Sequence, residues 1–335
     1  SIFADTLIGD AGDNVLEGNG GDDLLIGGSG NDTIDGGEGD DVLAVNDISF
    51  SDIDGGTGTD TFIGTGALTA ANVEGAGTGQ STGVVVNLGA TTLTAAAVLG
   101  TASQNLSGGL TGVASGQVAY LFNGELGTNS AAVDTLTSIE NVTLADGINY
   151  IVGTTGANSI TGGSGVDTIV AGNGADTVTG SGGNDVITLT ETAANSAVDT
   201  VVMTGAIAGL GSDSVTGFVL GKDKFQFTGA NIGDANTTLT VTTAAAASAA
   251  ALSELNVFTT ALANDAAVVA AIKTVTSTTP TLYVVYNTAD GEGQVWYDAN
   301  SNVDGGETQL VSLVGVTAAN IGALTFSATN FVELV

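Results

Sequence analysis

The 335-residue chain has no histidine, no cysteine and no arginine, a single proline at Pro280, and only three lysines, Lys222, Lys224 and Lys273. Without histidine there is no Ser-His or Cys-His nucleophile pair and no HExxH zinc site. Without arginine there is no bidentate clamp for phosphate or carboxylate. Lacking both histidine and cysteine, the chain offers nothing to a soft metal, and it has no disulfide framework. No stretch of eighteen apolar residues would span a membrane, and the start carries no charged-then-apolar signal peptide. The chain opens on Ser1, with ADTLI already in phase at Asp5, so it reads as a processed product or the C-terminal part of something longer.

What is abundant is negative charge. Thirty-six acidic residues against three lysines give a net charge of −33. Such a chain repels nucleic acid and anionic membrane surfaces and attracts divalent cations. Paired carboxylates could in principle support glycoside hydrolysis. Here almost every acidic candidate is already committed to a repeat, so no enzyme activity is expected.

Two runs of nine-residue repeats occupy 9 to 44 (GDAGDNVLE, GNGGDDLLI, GGSGNDTID, GGEGDDVLA) and 153 to 188 (GTTGANSIT, GGSGVDTIV, AGNGADTVT, GSGGNDVIT). The sixth places are Asn14, Asp23, Asp32 and Asp41, then Asn158, Asp167, Asp176 and Asp185. Leu16, Leu25, Ile34, Leu43, Ile160, Ile169, Val178 and Ile187 hold the eighth. A glycine-aspartate linker has no reason to keep an aliphatic residue at every eighth place. Glycine at the first, second or fourth place permits a turn at positive φ, and a three-residue strand with one inward side chain follows. Two such halves make a coil of eighteen residues, so Asp23 lies above Asp5 and below Asp41. Successive loops are then about 4.8 Å apart. Unit charges about 5 Å apart repel by roughly 0.8 kcal/mol even in bulk water. Calcium resolves this, because it accepts six to eight oxygens at flexible geometry, whereas magnesium demands a tighter octahedron.

These repeats resemble the nonapeptides of the RTX (repeats-in-toxin, hemolysin-type) calcium-binding family, whose pattern is Gly-Gly-x-Gly-x-Asp-x-aliphatic-x. The resemblance implies a mainly β protein with parallel β-rolls and calcium between successive loops. The side-chain ligands it implies are Asp5, Asn14, Asp23, Asp32, Asp41, Asp60, Asn149, Asn158, Asp167, Asp176, Asp185 and Asp199. The glycines of the loops are Gly12, Gly21, Gly28, Gly30, Gly37, Gly39, Gly156, Gly163, Gly165, Gly172, Gly174 and Gly183. Pairing sixth places eighteen apart gives 5 with 23, 14 with 32, 23 with 41, 149 with 167, 158 with 176 and 167 with 185, or about six ions. Asn14 and Asn158 replace the aspartate and bring no charge, so their sites should be weaker. Ala171 replaces a first glycine, and Asp10, Asn19, Thr154 and Ser181 replace second ones.

Residues 1–64 are expected to form the first roll, 65–143 a strand-rich connecting region, 144–205 the second roll, and 206–335 a C-terminal β cap. Within the connecting region, GVVVNLG at 83 to 89 and QVAYLFNG at 117 to 124 read as strands, and DTLTSIENVTL at 134 to 144 leads into the second roll. In the cap, Phe218, Phe225 and Phe227 are expected to close the open end. The alanine-rich stretch 244–275 reads as a helical insertion with Leu252, Leu255, Phe258 and Leu262 near one face, broken at Asn264 and Asp265, which cap a second short helix. After Pro280 a hairpin turns at Asp290 to Gly293. Asp298, Asn300, Asn302 and Asp304 place oxygens on alternate residues and suggest another calcium loop, although Val303 and Val311 stand where an EF-hand needs glycine and glutamate. The end, LTFSATNFVELV, resembles the C-terminal type I secretion signal of RTX proteins.

The expected function is a non-catalytic, calcium-dependent extracellular structural protein, a self-assembling S-layer, filament or matrix subunit. The alternative is a folding and secretion module of a larger RTX toxin, enzyme or adhesin. Calcium and self-association are the expected partnerships, with a cell-envelope polysaccharide as a further candidate, and no nucleic acid. The location is secreted, extracellular or cell surface, because only there is calcium plentiful enough to fold the rolls.

Overall fold

A computed structural model describes residues 1–45, 50–64, 81–94, 104–106, 112–123, 133–189, 191, 197–204, 206–219, 222–228, 241–244, 255–258, 261–273, 281–299, 307–317 and 331–334. The chain divides into two compact units, Ser1–Asn173 and Gly174–Val335.

In the first unit, each nonapeptide contributes one short strand, and alternate strands fall on opposite sheets, as a period of nine with glycine turns dictates. One sheet runs Thr6–Ile8, Leu24–Ile26, Val42–Val45, Thr61–Gly64, Asn141–Leu144 and Ser159–Ser164, all parallel. The eighth-place residues line up across it: Leu7, Leu25, Leu43, Phe62, Val142 and Ile160 are successive neighbours. All but the first are buried. The other sheet begins Val15–Gly20, Thr33–Glu38, Asp52–Thr57 and Asp134–Thr137, again parallel, stacking Leu16, Ile34, Ile53 and Leu136. The two columns of side chains face each other as the core of a β-roll.

The interruption after residue 64 affects the two sheets differently. On the first sheet Thr61–Gly64 pairs directly with Asn141–Leu144, so the two runs share that sheet without a break. On the second, Gln117–Asn123 pairs antiparallel with both Asp134–Thr137 and Ser81–Asn87, and Ser81–Asn87 then pairs parallel with Tyr150–Val152, followed by Thr168–Val170. The strands within 83–89 and 117–124 thus join the rolls on one face only. Val84, Val85, Val86, Val118 and Ala119 bury themselves there and take over from the repeats' aliphatic column.

The second unit keeps the architecture while losing the nonapeptide period. Thr177–Gly182, Thr200–Met203, Lys224–Thr228 and Phe331–Leu334 form one parallel set, and Val186–Thr188, Asp213–Thr216 and Glu307–Val314 another. Glu307–Val314 then pairs antiparallel with Glu292–Asp298, which pairs with Thr281–Asn287 in a hairpin turning at Thr288–Gly291. Phe225 and Phe227 are fully buried rung residues; Phe225 lies between Val201 and Phe331 in register and stacks on Phe218 at 4.5 Å. They fill the roll and do not close its end, because Phe331–Leu334 adds one more strand.

Among the described residues of the alanine-rich stretch, one segment is a strand and one a helix. Leu255–Phe258 is a strand, pairing Leu255 with Leu282 and Val257 with Val284, so Leu255 and Phe258 do not share a helix face. A free edge of the 281–298 hairpin outweighs intrinsic helix preference for a segment containing Val257 and Phe258. Asn264 does cap a helix, Asp265–Ile272, its side chain accepting the Ala267 N–H at 3.0 Å. Val268, Ala271 and Ile272 pack with Tyr283, Val285 and Trp296. Leu252, Asn300, Asn302 and Asp304 lie outside the described residues. Asp298 ends its strand fully buried between Thr281 and Glu307. No described helix is long and apolar enough to cross a membrane.

Candidate metal sites

The sixth-place aspartates are the most deeply buried charged residues of the repeats: Asp23, Asp41, Asp60, Asp167 and Asp185 are each at most 2 % exposed. One oxygen of each does structural work. Asp23 Oδ1 accepts the backbone N–H of Asp5 at 2.6 Å, Asp32 Oδ1 that of Asn14 at 3.0 Å, and Asp41 Oδ1 that of Asp23 at 2.8 Å. Asp167 holds the N–H of Asn149 in the same way at 2.8 Å. Each carboxylate therefore clips onto the loop one coil earlier, and the expected pairs 5–23, 14–32, 23–41 and 149–167 are stacked neighbours. The remaining two expected pairs draw one residue from each unit.

The ladder also runs on outside the two runs, through Asp60 of GGTGTDTFI at 55–63 and through residues without the full glycine signature. Ser51 Oγ accepts the Asp32 N–H at 3.1 Å and Asp134 Oδ1 accepts the Ser51 N–H at 2.9 Å. Asp60 accepts from Asp41 and Glu140 from Asp60, at 2.8 and 2.9 Å. In the second unit Asp199 accepts from Asp176, Asp213 from Asp185 and Asp223 from Asp199, at 3.0 to 3.1 Å.

The second carboxylate oxygen shows what the loops lack. Asp23 Oδ2, Asp41 Oδ2 and Asp60 Oδ2 are buried with no hydrogen-bond donor. They face into hollows that exist only because the first place is glycine. A methyl at Gly18 would overlap Asp23 Oδ2 and the Gly36 carbonyl, and one at Gly36 would overlap Asp41 Oδ2 and the Gly55 carbonyl. Each hollow thus collects a carboxylate oxygen and a carbonyl oxygen from the next coil, with no donor between them. An unpaired buried acceptor costs about 1–3 kcal/mol, and more when charged. One fully buried Leu, Ile or Val contributes about 1.5–3 kcal/mol. Ordering nine residues costs several times that at about 1–2 kcal/mol per residue for backbone alone. An oxygen-seeking cation fits the donor set, and a hard divalent ion of calcium's coordination habits fits best.

The other glycines shape the turns. Gly28, Gly37, Gly163 and Gly172 at second places and Gly21, Gly30, Gly39, Gly165, Gly174 and Gly183 at fourth places all adopt φ between +96° and +136°. Asn19 and Ser181 accept the same handedness at +74° and +79° without being glycine. Loops with Asn14 and Asn158 are built differently. Asn14 Oδ1 accepts the Asp10 N–H and Asn158 Oδ1 the Thr154 N–H, both at 2.8 Å. Gly12 and Gly156 donate their N–H groups to Asp10 Oδ1 and Thr154 Oγ1. Asn149 departs furthest: Oδ1 accepts the Val84 N–H at 2.9 Å, and Nδ2 donates to the Gly162 carbonyl at 2.8 Å. Its first place is Leu144, buried, so there is no hollow. The amide supplies the donor that the aspartate rungs lack.

Electrostatics follow the same geometry. Burial pushes the Asp60 carboxyl up to about 6, against the lowering effect of its hydrogen bond from Asp41, and the charges of Asp41 and Glu140 add to the rise. Asp199 is likewise raised to about 6 by burial, with Asp223 and Glu191 adding repulsion. Asp41 and Asp223 are raised for the same leading reason. Among the described residues, Asp176, Glu191 and Asp199 bring one carboxylate oxygen each to within 4.8 Å of one another. Glu191 Oε1 also accepts the Gly174 N–H at 3.0 Å. Glu191 lies outside the nonapeptide pattern, and no spacing rule points to it.

Four overlapping stretches, residues 1–34, 18–46, 145–178 and 161–189, match the RTX calcium-binding nonapeptide repeat family. The protein is of the RTX type. Its RTX repeats indicate calcium binding, and the hollows beside Asp23 and Asp41 are where this chain's own oxygens converge for it. No curated protein matches the chain.

Proposed function

We propose that this RTX protein is a secreted, non-catalytic scaffold that folds on meeting extracellular calcium and assembles into a surface layer, filament or matrix. The observation that carries the calcium-gated part is the series of buried, donor-free carboxylate oxygens at Asp23, Asp41 and Asp60, each facing a carbonyl of the next coil. Bound calcium supplies positive charge and coordination to those oxygens. The chain does the rest: Oδ1 of each aspartate holds the previous loop in register, glycines keep the hollow open, and the eighth-place residues close the core. In a calcium-poor cytosol the same carboxylates repel one another, which keeps the chain unfolded for export. The absence of histidine and arginine supports a non-catalytic role.

Self-assembly draws support from the edge strands. Among the described residues Thr6–Ile8 pairs with Leu24–Ile26 alone, and Ile2, Phe3, Ile8 and Val15 around it are highly exposed. An open parallel edge with apolar flanks accepts another strand readily. A second copy of the chain would cover it in an assembling protein. A preceding coil of the same polypeptide would cover it in the alternative reading, a calcium-dependent secretion module of a larger RTX protein. Electron microscopy of purified protein in calcium separates the two: sheets or filaments that dissolve on chelation support assembly, and a monodisperse particle in calcium contradicts it.

A further inference from the structure

We propose that a wedge-shaped cavity at the interruption of the first unit binds a neutral saccharide, through which the protein holds cell-envelope polysaccharide. The proposal rests on the secreted-scaffold reading only for the source of that ligand. The wedge follows from the topology. On the second sheet, Asp134–Thr137 and Tyr150–Val152 are separated by Gln117–Asn123 and Ser81–Asn87, which puts them three strand spacings, or roughly 14 Å, apart. The strands that follow them, Asn141–Leu144 and Ser159–Ser164, are direct neighbours on the first sheet, about 4.8 Å apart. The connections 138–140 and 153–158 therefore start far apart and converge. Asn158 Nδ2 donates to the Glu140 carbonyl where they meet. In an uninterrupted roll successive loops stack at one spacing along their whole length. Here a cavity of about 420 Å³ opens between them, in the size range of small-molecule sites.

The lining decides what enters. Leu88 and Ile139 supply apolar surface, Ser115, Ser138 and Thr154 supply hydroxyls, and Glu140 is the one acid among the described lining residues. Leu88, Ser115, Ser138, Ile139 and Glu140 all fall between the matched repeat stretches, which end at 46 and resume at 145, so the cavity is not a feature of the nonapeptide. The Asp60 N–H holds Glu140 Oε2 at 2.9 Å, which fixes the carboxylate before any ligand arrives. A hydroxyl that donates to a carboxylate makes a bond roughly twice as strong as one between neutral groups. No cation lines the cavity: the chain has no arginine, and Lys222, Lys224 and Lys273 all belong to the other unit. On a chain of net charge −33, a phosphate, sulfate or uronate would meet repulsion with nothing to pair with. The ligand must therefore bring hydroxyl donors and no negative charge. A neutral pyranose does so: its hydroxyls donate to Glu140 and exchange hydrogen bonds with the serine and threonine hydroxyls, and its C–H face covers Leu88 and Ile139.

The test uses the full chain in saturating calcium. Saturation-transfer NMR screens it against neutral trisaccharides of glucose, galactose, mannose and N-acetylglucosamine, and against the trisaccharide of galacturonate. At least one neutral trisaccharide should bind with millimolar affinity or better, and the uronate should not. Ser115→Phe fills the mouth of the cavity from an exposed position, and Glu140→Gln removes the fixed charge. Each should weaken the neutral ligand at least tenfold, with circular dichroism as the control for folding. Should either variant fail to fold, nuclear Overhauser contacts in the unmodified chain decide: contacts from the bound sugar to the Leu88 and Ile139 methyls support the site, and contacts elsewhere alone contradict it. Binding of no neutral trisaccharide, binding of the uronate at least as tight, or neutral binding that both folded variants leave unchanged overturns the site. Each of those results leaves calcium-gated folding and assembly standing, because electron microscopy reads assembly without any sugar.

Discussion

The rung at Asp23 and the rung at Asn149 share one fold and one register but satisfy their oxygens by opposite means. At Asp23, glycine at the first place opens a hollow, and a carboxylate oxygen and the Gly36 carbonyl face it without a donor. At Asn149, leucine occupies the first place, and the amide Nδ2 donates to the Gly162 carbonyl at 2.8 Å. The backbone path of a β-roll therefore does not itself require a cation. What requires one is the carboxylate with the glycine beside it, and a single amide with a larger neighbour removes the need. The calcium dependence of this chain is written rung by rung.

Stripping calcium is the largest perturbation of that contrast. Chelation should abolish most of the β circular dichroism signal of the repeat segments, since the Asp23, Asp41 and Asp60 rungs then bury a carboxylate oxygen with no donor and little apolar compensation. A spectrum indifferent to chelator would break the comparison outright. Next in size is Asn149→Asp. With Leu144 still at the first place the new carboxylate has no hollow, so the variant should lose about 3 kcal/mol of stability and gain no ion. Adding Leu144→Gly should open the hollow and raise the ion count by one relative to Asn149→Asp, as read by calorimetric calcium titration. The reverse exchange, Asp23→Asn, should cost one ion, read by the same calorimetric titration.

The smallest effect is on pH. Asp60 and Asp199 have folded-state values near 6, above the ordinary 3.8. A carboxyl whose value is raised by folding binds protons more tightly in the folded state. The metal-stripped chain should therefore recover β structure as pH falls from 7 through 6 towards 4, and calcium should bind these two residues more weakly over the same range. Between pH 7 and pH 5 the circular dichroism of the stripped chain should gain β signal, while the melting temperature of the loaded protein should fall. The Asn149 rung has no titrating group and should contribute nothing to either shift.

Much of this was legible in the sequence, because the nonapeptide period fixes both strand direction and side-chain facing. Leu25, Ile34, Leu43, Ile160, Ile169, Val178 and Ile187 are all buried as their eighth places require. The cap at Asn264 was legible for the same reason, as a local pattern with a local consequence. The rest depended on contacts across long stretches of chain. Asp134, Asp213 and Asp223 join the ladder two places before an apolar residue, in DTLT, DSVT and DKFQF, with no complete glycine loop to announce them. Glu140 is recognisable only once Thr61 is known to lie beside Asn141. The strand at Leu255–Phe258 hid inside an alanine-rich stretch because its partner, Thr281–Asn287, lies beyond a helix.

Residue-resolved hydrogen exchange of the full chain, with calcium and after its removal, tests the central claim most directly. The account predicts that the backbone amides of Asp5, Asn14, Asp23 and Asp41, which donate to the aspartates of the next coil, are protected in calcium and exchange freely without it. Protection at these amides that survives complete removal of calcium would contradict it.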